Sequence, residues 1–150
     1  MLGARWTVRI APEARGLVER FLAEDCFRER GGFLLGRLVA GGRGETIIDR
    51  ALPCPDAPST AVSLTFRAEE WQLLHSDAAF CGGSQVVVGW FHSHPSMPVG
   101  MSARDRFIQR NFFSHPLQVA WIRDPVGGEE AVWGFLEDRP VRLGCEGTAA

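Results

Sequence analysis

Two histidines, one residue apart, end an apolar run in the segment GWFHSHP at residues 89–95. In a β-strand alternate side chains point to the same face, so the rings of His92 and His94 lie on one side of the strand. Neutral imidazole nitrogens are ligands for zinc and other transition metals. The pair therefore predicts half of a metal site, although an H-x-H pair alone is equally compatible with a structural or surface role.

A carboxylate follows at a spacing that completes such a site. Pro95 ends the strand because it cannot donate to the sheet, and the segment SMPVGM returns the chain to a helix that begins near Ser102. Asp105 then lies in the first turn of this helix. Two histidines, one aspartate and an open fourth position are typical of a catalytic zinc site. Ser102 and Asp105 are also spaced as a helix-capping pair, and taken alone this second interpretation is favoured.

A hydrolytic metal site also needs a general base, and one candidate lies far upstream. Glu29 precedes Gly32 by three residues in the segment ERGGFLLG, at the start of a predicted strand whose glycines permit close backbone approach. A carboxylate in hydrogen-bond reach of a water molecule can take its proton. The spacing by itself does not distinguish this role from that of an exposed glutamate at a helix end.

Length and composition predict one compact domain. The chain has 150 residues, 45% of them hydrophobic, and we expect a single domain over residues 1–150 with its core at about 7–143 and a short flexible C-terminal tail. The formal net charge of −2 argues against nucleic-acid binding. The N-terminus lacks the apolar core of a signal peptide, and no run reaches the roughly 20 apolar residues of a membrane span. Four scattered cysteines predict free thiols in a cytoplasmic protein: Cys26, Cys54, Cys81 and Cys145.

Hydrophobic periodicity predicts interleaved strands and helices, hence an α/β protein with helices packed on a mixed sheet. We expect a proline-rich surface loop at 53–60. The expected helices cover 12–27, 68–80 and 102–112. The expected strands cover 6–11, 31–40, 45–53, 62–66, 85–92, 117–123, 131–136 and 141–143.

The chemical positions together resemble a family signature. The pattern E-x-x-G-x-L-x-G, followed by H-x-H-P, six residues and S-x-x-D, resembles the JAMM signature of the JAB1/MPN/Mov34 metalloprotease family. The resemblance extends over roughly residues 7–136 and implies a three-layer α/β/α domain with a central mixed sheet, of the cytidine-deaminase-like type. The matching positions are Glu29, Gly32, Leu34, Gly36, His92, His94, Pro95, Ser102 and Asp105.

The resemblance also implies an activity and a role for each residue. It implies a zinc-dependent isopeptidase that hydrolyses the amide bond at the C-terminus of a ubiquitin-like modifier, with one zinc ion per chain. His92, His94 and Asp105 would bind the zinc. Glu29 would activate the attacking water, and Ser102 would stabilise the developing oxyanion. The implied partners are a ubiquitin-like protein or its conjugate and the activating and conjugating enzymes of the same pathway, in a prokaryotic member of the family.

Three alternative functions follow from the same residues. One is a peptidase that processes a ubiquitin-like sulfur carrier, and another is a non-catalytic MPN scaffold, which the presence of all five chemical positions disfavours. The third is the RadC-like branch associated with DNA repair, which shares a similar H-x-H-P and S-x-x-D run. The acidic balance and the G-x-L-x-G segment favour the deubiquitinase-like branch.

Two further groups of residues bear on the site. Trp90, Phe91, Met97 and Met101 are candidates to line the path of a substrate tail added as a strand beside a sheet edge, with Trp90 better explained as a core residue. Helix faces and turns account for four other titratable residues, which we leave out of the site: His75, Asp77, His115 and Asp124.

Overall fold

The computed structural model describes residues 6–147, which form a mixed β-sheet with helices packed against it. The helices are α1 (Pro12–Ala23), α2 (Ala68–His75), α3 (Ala78–Cys81) and α4 (Ala103–Phe112). The strands are β1 (Thr7–Ile10), β2 (Gly31–Val39), β3 (Glu45–Pro53), β4 (Ser59–Thr60), β5 (Ser63–Leu64), β6 (Val86–Ser93), β7 (Val119–Arg123), β8 (Glu130–Leu136), β9 (Arg139–Leu143) and β10 (Cys145–Gly147).

Eight of these strands form one sheet in the order β10-β1-β3-β2-β6-β7-β8-β9, and β4 pairs with β5 in a separate two-stranded sheet. The pairs β10/β1, β1/β3 and β6/β7 are parallel, whereas the other pairs are antiparallel. This arrangement confirms the predicted mixed α/β class. It also puts β6, the strand that contains His92 and ends one residue before His94, in the middle of the sheet between β2 and β7.

Two apolar clusters flank the central strands because successive side chains of a strand point to opposite faces. Leu34 and Phe91 belong to the cluster that includes the buried face of α1, whereas Phe33 and Trp90 belong to the cluster that includes Ile108 of α4. All four of these strand side chains are fully buried. Burying one side chain of this size contributes about 1.5–3 kcal/mol, so the two clusters hold β2 and β6 firmly in place.

Two helical predictions were wrong in their extent. Helix α1 ends at Ala23 rather than near residue 27, because the side chain of Asp25 accepts the backbone N–H groups of Phe27 and Arg28 in a turn that replaces the helix. The helix predicted over 68–80 is split into α2 and α3. Its break lies at Asp77, whose carboxylate accepts the N–H of Phe80 and starts α3.

Three other segments also differ from the prediction. The strand predicted at 62–66 is reduced to the two residues of β5. The segment at 53–60 is not wholly a surface loop, since Cys54 is 2% exposed and its N–H donates to the Gly31 carbonyl. The C-terminal tail was expected to be flexible, but Cys145–Gly147 forms β10 beside β1, and residues 148–150 lie outside the described part of the chain.

The longest helix of the described residues is α1, with 12 residues. No helix in residues 6–147 combines the length and the apolar character needed to cross a bilayer.

Candidate metal centre

The centre lies where β6 ends and α4 begins. His92 and His94 are 0% and 4% exposed, and the N–H of His94 donates to the Arg123 carbonyl at 2.9 Å, one residue beyond the parallel pairing of β6 with β7. The Nε2 atoms of the two rings lie 3.2 Å apart. The alternation of β6 thus brings both imidazoles to one point, as the sequence predicted.

Asp105 joins the two histidines from the first turn of α4. Its Oδ1 lies 3.0 Å from Nε2 of His92, and its Oδ2 lies 3.0 Å from Nε2 of His94. Oδ2 also accepts the N–H of Ser102, whose Oγ accepts the N–H of Asp105, each at 3.0 Å. The pair therefore forms a capping box, and the same bonds hold the Asp105 carboxylate against the histidines. The capping and site interpretations of the pair are compatible.

Glu29 reaches the same cluster from the segment between α1 and β2. It is 3% exposed, so it is not the solvated glutamate that its sequence position also allowed. Its backbone N–H donates to the Thr60 carbonyl at 2.8 Å. One ligand atom from each of four buried side chains lies within 4.8 Å of the others, and the group could hold a metal ion: Glu29, His92, His94 and Asp105.

Backbone contacts between Arg30 and Ser93 bring Glu29 close to His92, although 63 positions separate these two residues in the sequence. The N–H of Ser93 donates to the Arg30 carbonyl, and the N–H of Arg30 donates to Oγ of Ser93, both at 2.9 Å. The next residue, Gly31, pairs with His92. A Cβ at Gly31 would lie 2.2 Å from the Phe91 carbonyl oxygen, so only glycine permits this approach of β2 to β6.

The two carboxylates of the cluster have opposite electrostatic character. Burial raises the pKa of Glu29, which therefore holds a proton more readily than an exposed glutamate. Burial also opposes ionisation of Asp105, but the electrostatic interaction with His92 and hydrogen bonds with both histidines hold its pKa well below the usual range. Asp105 thus remains an anion suited to bind a cation, while Glu29 is suited to carry a proton.

Further contacts orient the histidine rings. Nδ1 of His94 lies 2.9 Å from the Pro98 carbonyl oxygen, so Nδ1 carries a proton and Nε2 faces the cluster. The His92 ring stacks on Trp90, with ring centroids 4.2 Å apart and an interplanar angle of 6°. Trp90 in turn donates its indole N–H to Oε1 of Gln109 at 2.7 Å. Nδ1 of His92 has no hydrogen-bond partner among residues 6–147.

A cavity of about 340 Å³ connects the cluster with solvent. Of the four apolar residues considered for a substrate path, Met97 and Met101 line this cavity, whereas Trp90 and Phe91 are fully buried in the core. Sequence reasoning missed Val62, because nothing in its local pattern signals that the β4–β5 turn lies over the site. The cavity is lined by Glu29, Val62, His94, Met97, Pro98, Gly100, Met101 and Ser102.

The four titratable residues left out of the site do not join the cluster. Asp77 caps α3 and binds Arg50 at 2.7 Å, and His75 is exposed at the end of α2. His115 accepts the N–H of Leu117 within a turn. Asp124 accepts the N–H of Ser96 and so anchors the loop after His94.

Comparisons with known proteins establish a fold and name no activity. No family model matches the chain. Over 93 residues, 57% of this chain, it is 34% identical to the uncharacterized protein F37A4.5 of Caenorhabditis elegans, and it covers 29% of that protein's length. The solution structure of protein DSY2949 from Desulfitobacterium hafniense matches with a TM-score of 0.75 at 18% identity, over 95% of this chain and 94% of that chain. The chain therefore shares its fold with DSY2949 along nearly its whole length.

Proposed function

We propose that the protein is a zinc-dependent peptidase of the JAMM type, which hydrolyses the amide bond at the C-terminus of a ubiquitin-like protein or its conjugate. The observation that carries this proposal is the buried cluster of one glutamate, two histidines and one aspartate beside an open cavity. The residue types and their spacing also match the JAMM signature at every position. An intracellular, cytoplasmic setting is part of the proposal because all four cysteines are free thiols.

The donor set fits zinc. Ligand atoms about 2.1 Å from a tetrahedral zinc ion lie about 3.4 Å from one another. The three distances among the Nε2 atoms of His92 and His94 and the nearer Asp105 oxygens are 3.0, 3.0 and 3.2 Å, so small outward shifts suffice to bind the ion. Two imidazoles disfavour magnesium and calcium, which prefer oxygen ligands. We therefore assign His92, His94 and Asp105 as the zinc ligands.

His92, His94 and Asp105 would hold the zinc ion, which would supply Lewis acidity that lowers the pKa of water to about 7. Glu29 takes the proton from the attacking water as the water oxygen bonds to the carbonyl carbon. Glu29 then gives this proton to the leaving nitrogen as the carbon–nitrogen bond breaks. Its raised pKa suits both transfers, because the protonated form must persist between them.

Ser102 is placed to stabilise the oxyanion. Its Oγ accepts the N–H of Asp105, which leaves the hydroxyl hydrogen free to donate to a substrate oxygen. The side chain lines the cavity beside Glu29 and His94. Loss of one such donor costs about 3 kcal/mol of transition-state stabilisation in comparable sites.

The proposal extends to the fold type and the manner of substrate binding. Apolar clusters with helices on opposite faces of a mixed sheet support a three-layer α/β/α domain of the cytidine-deaminase-like, JAB/MPN type. A cavity lined in part by Val62, Met97 and Met101 suits a chain with apolar side chains. Such a chain can satisfy its backbone groups as an added strand, which favours a flexible protein tail as substrate.

The test is hydrolysis of ubiquitin and of ubiquitin-like proteins, including any encoded beside the gene, each extended at its C-terminus by a fluorescent amide. We expect the parent protein to cleave at least one of them and Glu29→Gln to lose at least a hundredfold in rate while it keeps its zinc. Glu69→Gln, a change at an exposed glutamate, is the matched control and should cleave as the parent does. Equal rates for Glu29→Gln and the parent would refute the mechanism, and a zinc-loaded protein that cleaves none of the substrates would favour a scaffold.

A further inference from the structure

A backbone carbonyl in the loop between β6 and α4 orients the His94 ring from the side opposite Asp105. Nδ1 of His94 donates to the Pro98 oxygen at 2.9 Å, which turns the ring so that Nε2 lies 3.0 Å from Oδ2 of Asp105. Pro98 itself is exposed, so burial of its ring does not hold this carbonyl. Pro95 and Pro98 also lack N–H groups, and they cannot contribute backbone donors that would stiffen the loop.

Two side chains from neighbouring strands anchor the loop on either side of Pro98. Oδ1 of Asp124, in the turn after β7, accepts the N–H of Ser96 at 2.9 Å. The indole N–H of Trp133, in β8, donates to the Val99 carbonyl at 2.8 Å. Ser96 has a φ of 54°, a left-handed conformation that costs a non-glycine residue free energy and persists only where its surroundings impose it.

The Asp124 anchor is itself rigid. Its N–H donates to the Glu129 carbonyl and its carbonyl accepts the N–H of Gly128, both at 2.8 Å, while Oδ1 also accepts the N–H of Val126 at 2.9 Å. Hydrogen bonds within its own turn therefore fix the Asp124 carboxylate, and its bond with the Ser96 N–H holds Ser96 in place.

We propose that Asp124 and Trp133 are positioning residues of the metal centre. They clamp the loop on both sides of Pro98, and the clamped carbonyl fixes the direction of the His94 ring. Neither residue touches the cluster, and sequence reasoning assigned Asp124 only to the start of a turn. The consequence for zinc affinity rests on the proposed zinc site, whereas the effect on the His94 ring does not.

Two measurements on the full chain test this clamp. In the metal-free protein, nitrogen-15 NMR detects the proton on Nδ1 of His94 and its exchange with solvent, and competition with a chelating dye gives the zinc dissociation constant. We expect Asp124→Ala and Trp133→Phe to exchange this proton at least tenfold faster than the parent and to bind zinc about 10–100-fold more weakly. Asp124→Asn keeps an oxygen acceptor for Ser96 and should restore both values to within about threefold of the parent.

The matched control is Asp138→Ala, which removes an exposed aspartate from its ion pair with Arg110 in another turn and should change neither value. The inference is overturned if Asp124→Ala and Trp133→Phe fold and keep the exchange rate of the parent. If Asp124→Ala does not fold, Trp133→Phe decides, since it removes one N–H donor and keeps an aromatic ring. A parent protein that binds no zinc would refute the proposed function. The exchange rates would still show whether Asp124 and Trp133 hold the loop around Pro98.

Discussion

Replacing Gly31 by alanine should destabilise the fold and the metal centre together. Gly31 is the position where β2 pairs with His92 of β6. An added Cβ would lie 2.2 Å from the Phe91 carbonyl oxygen, 2.7 Å from Cδ2 of Leu64 and 3.0 Å from Cβ of His92. Since carbon and oxygen atoms normally approach to about 3.3 Å, the two strands must separate by about 1 Å.

The expected cost of Gly31→Ala is about 3 kcal/mol in the free energy of unfolding, because the obstructing oxygen belongs to the backbone of a central strand. This loss is about a hundredfold in the folding equilibrium. This separation would also move His92 by nearly 1 Å, within a cluster whose ligand atoms lie 3.0–3.2 Å apart. We therefore expect the zinc affinity to fall as well.

The assay is denaturant unfolding followed by tryptophan fluorescence, together with zinc titration of the folded protein. Gly144→Ala is the matched control, because an added Cβ there meets no heavy atom within 4 Å, and its free energy of unfolding should stay within about 0.5 kcal/mol of the parent. Stability and zinc affinity of Gly31→Ala that equal those of Gly144→Ala would refute this account of how β2 and β6 form the site.

Three other predictions concern zinc, an acid-labile cap and a buried thiol. Zinc at a hundred times its dissociation constant should raise the free energy of unfolding of the parent by about 2.7 kcal/mol and leave that of Asp105→Ala unchanged. Glu70→Gln should lower the free energy of unfolding by about 1–2 kcal/mol at pH 7, because Glu70 is buried and accepts bonds from the side chain and N–H of Arg67. The bond from Arg67 lowers the pKa of Glu70 in the folded state, so this stabilisation is present above the unfolded-state pKa of about 4.3 and is lost as the pH falls through the folded value. Cys54, whose pKa burial raises to about 12, should resist thiol reagents at pH 8 in the folded protein, while exposed Cys81 reacts.

Each of these three predictions has an outcome that would contradict it. Equal zinc stabilisation of the parent and Asp105→Ala would mean that the ion binds elsewhere. A difference between the parent and Glu70→Gln that stays constant from pH 7 to pH 3 would show that the Glu70 charge does not stabilise the cap. Modification of Cys54 as fast as Cys81 in the folded protein would contradict its burial.

The local hydrophobic pattern of the sequence predicted most helices and strands. The elements that it predicted wrongly depend on non-local pairing or on side-chain hydrogen bonds. The continuous apolar character of β6 identified a central strand, and the spacing of Ser102 and Asp105 located the start of α4. In contrast, β10 is a strand only because it pairs with β1 at the other end of the chain. The early end of α1 depends on hydrogen bonds to the side chain of Asp25, which residue periodicity does not encode.

The candidate site also combines features that local spacing indicates with features that depend on tertiary structure. Spacing gave the convergence of His92, His94 and Asp105 as one interpretation beside helix capping, because a strand, a turn and a helix start join them over 14 residues. The approach of Glu29 depends on the antiparallel pairing of β2 with β6, and only the family resemblance linked it to the histidines beforehand. The contacts of Pro98, Asp124 and Trp133 with the loop arise from tertiary structure and leave no motif in the sequence.

The decisive measurement is the zinc content of Glu29→Gln after purification and dialysis, beside that of the parent. With His92, His94 and Asp105 as ligands and Glu29 as the proton carrier, we expect one zinc ion per chain in both proteins. No zinc in the parent would contradict the assigned metal centre. Zinc in the parent and none in Glu29→Gln would contradict the assigned division of roles, because Glu29 would then be a ligand.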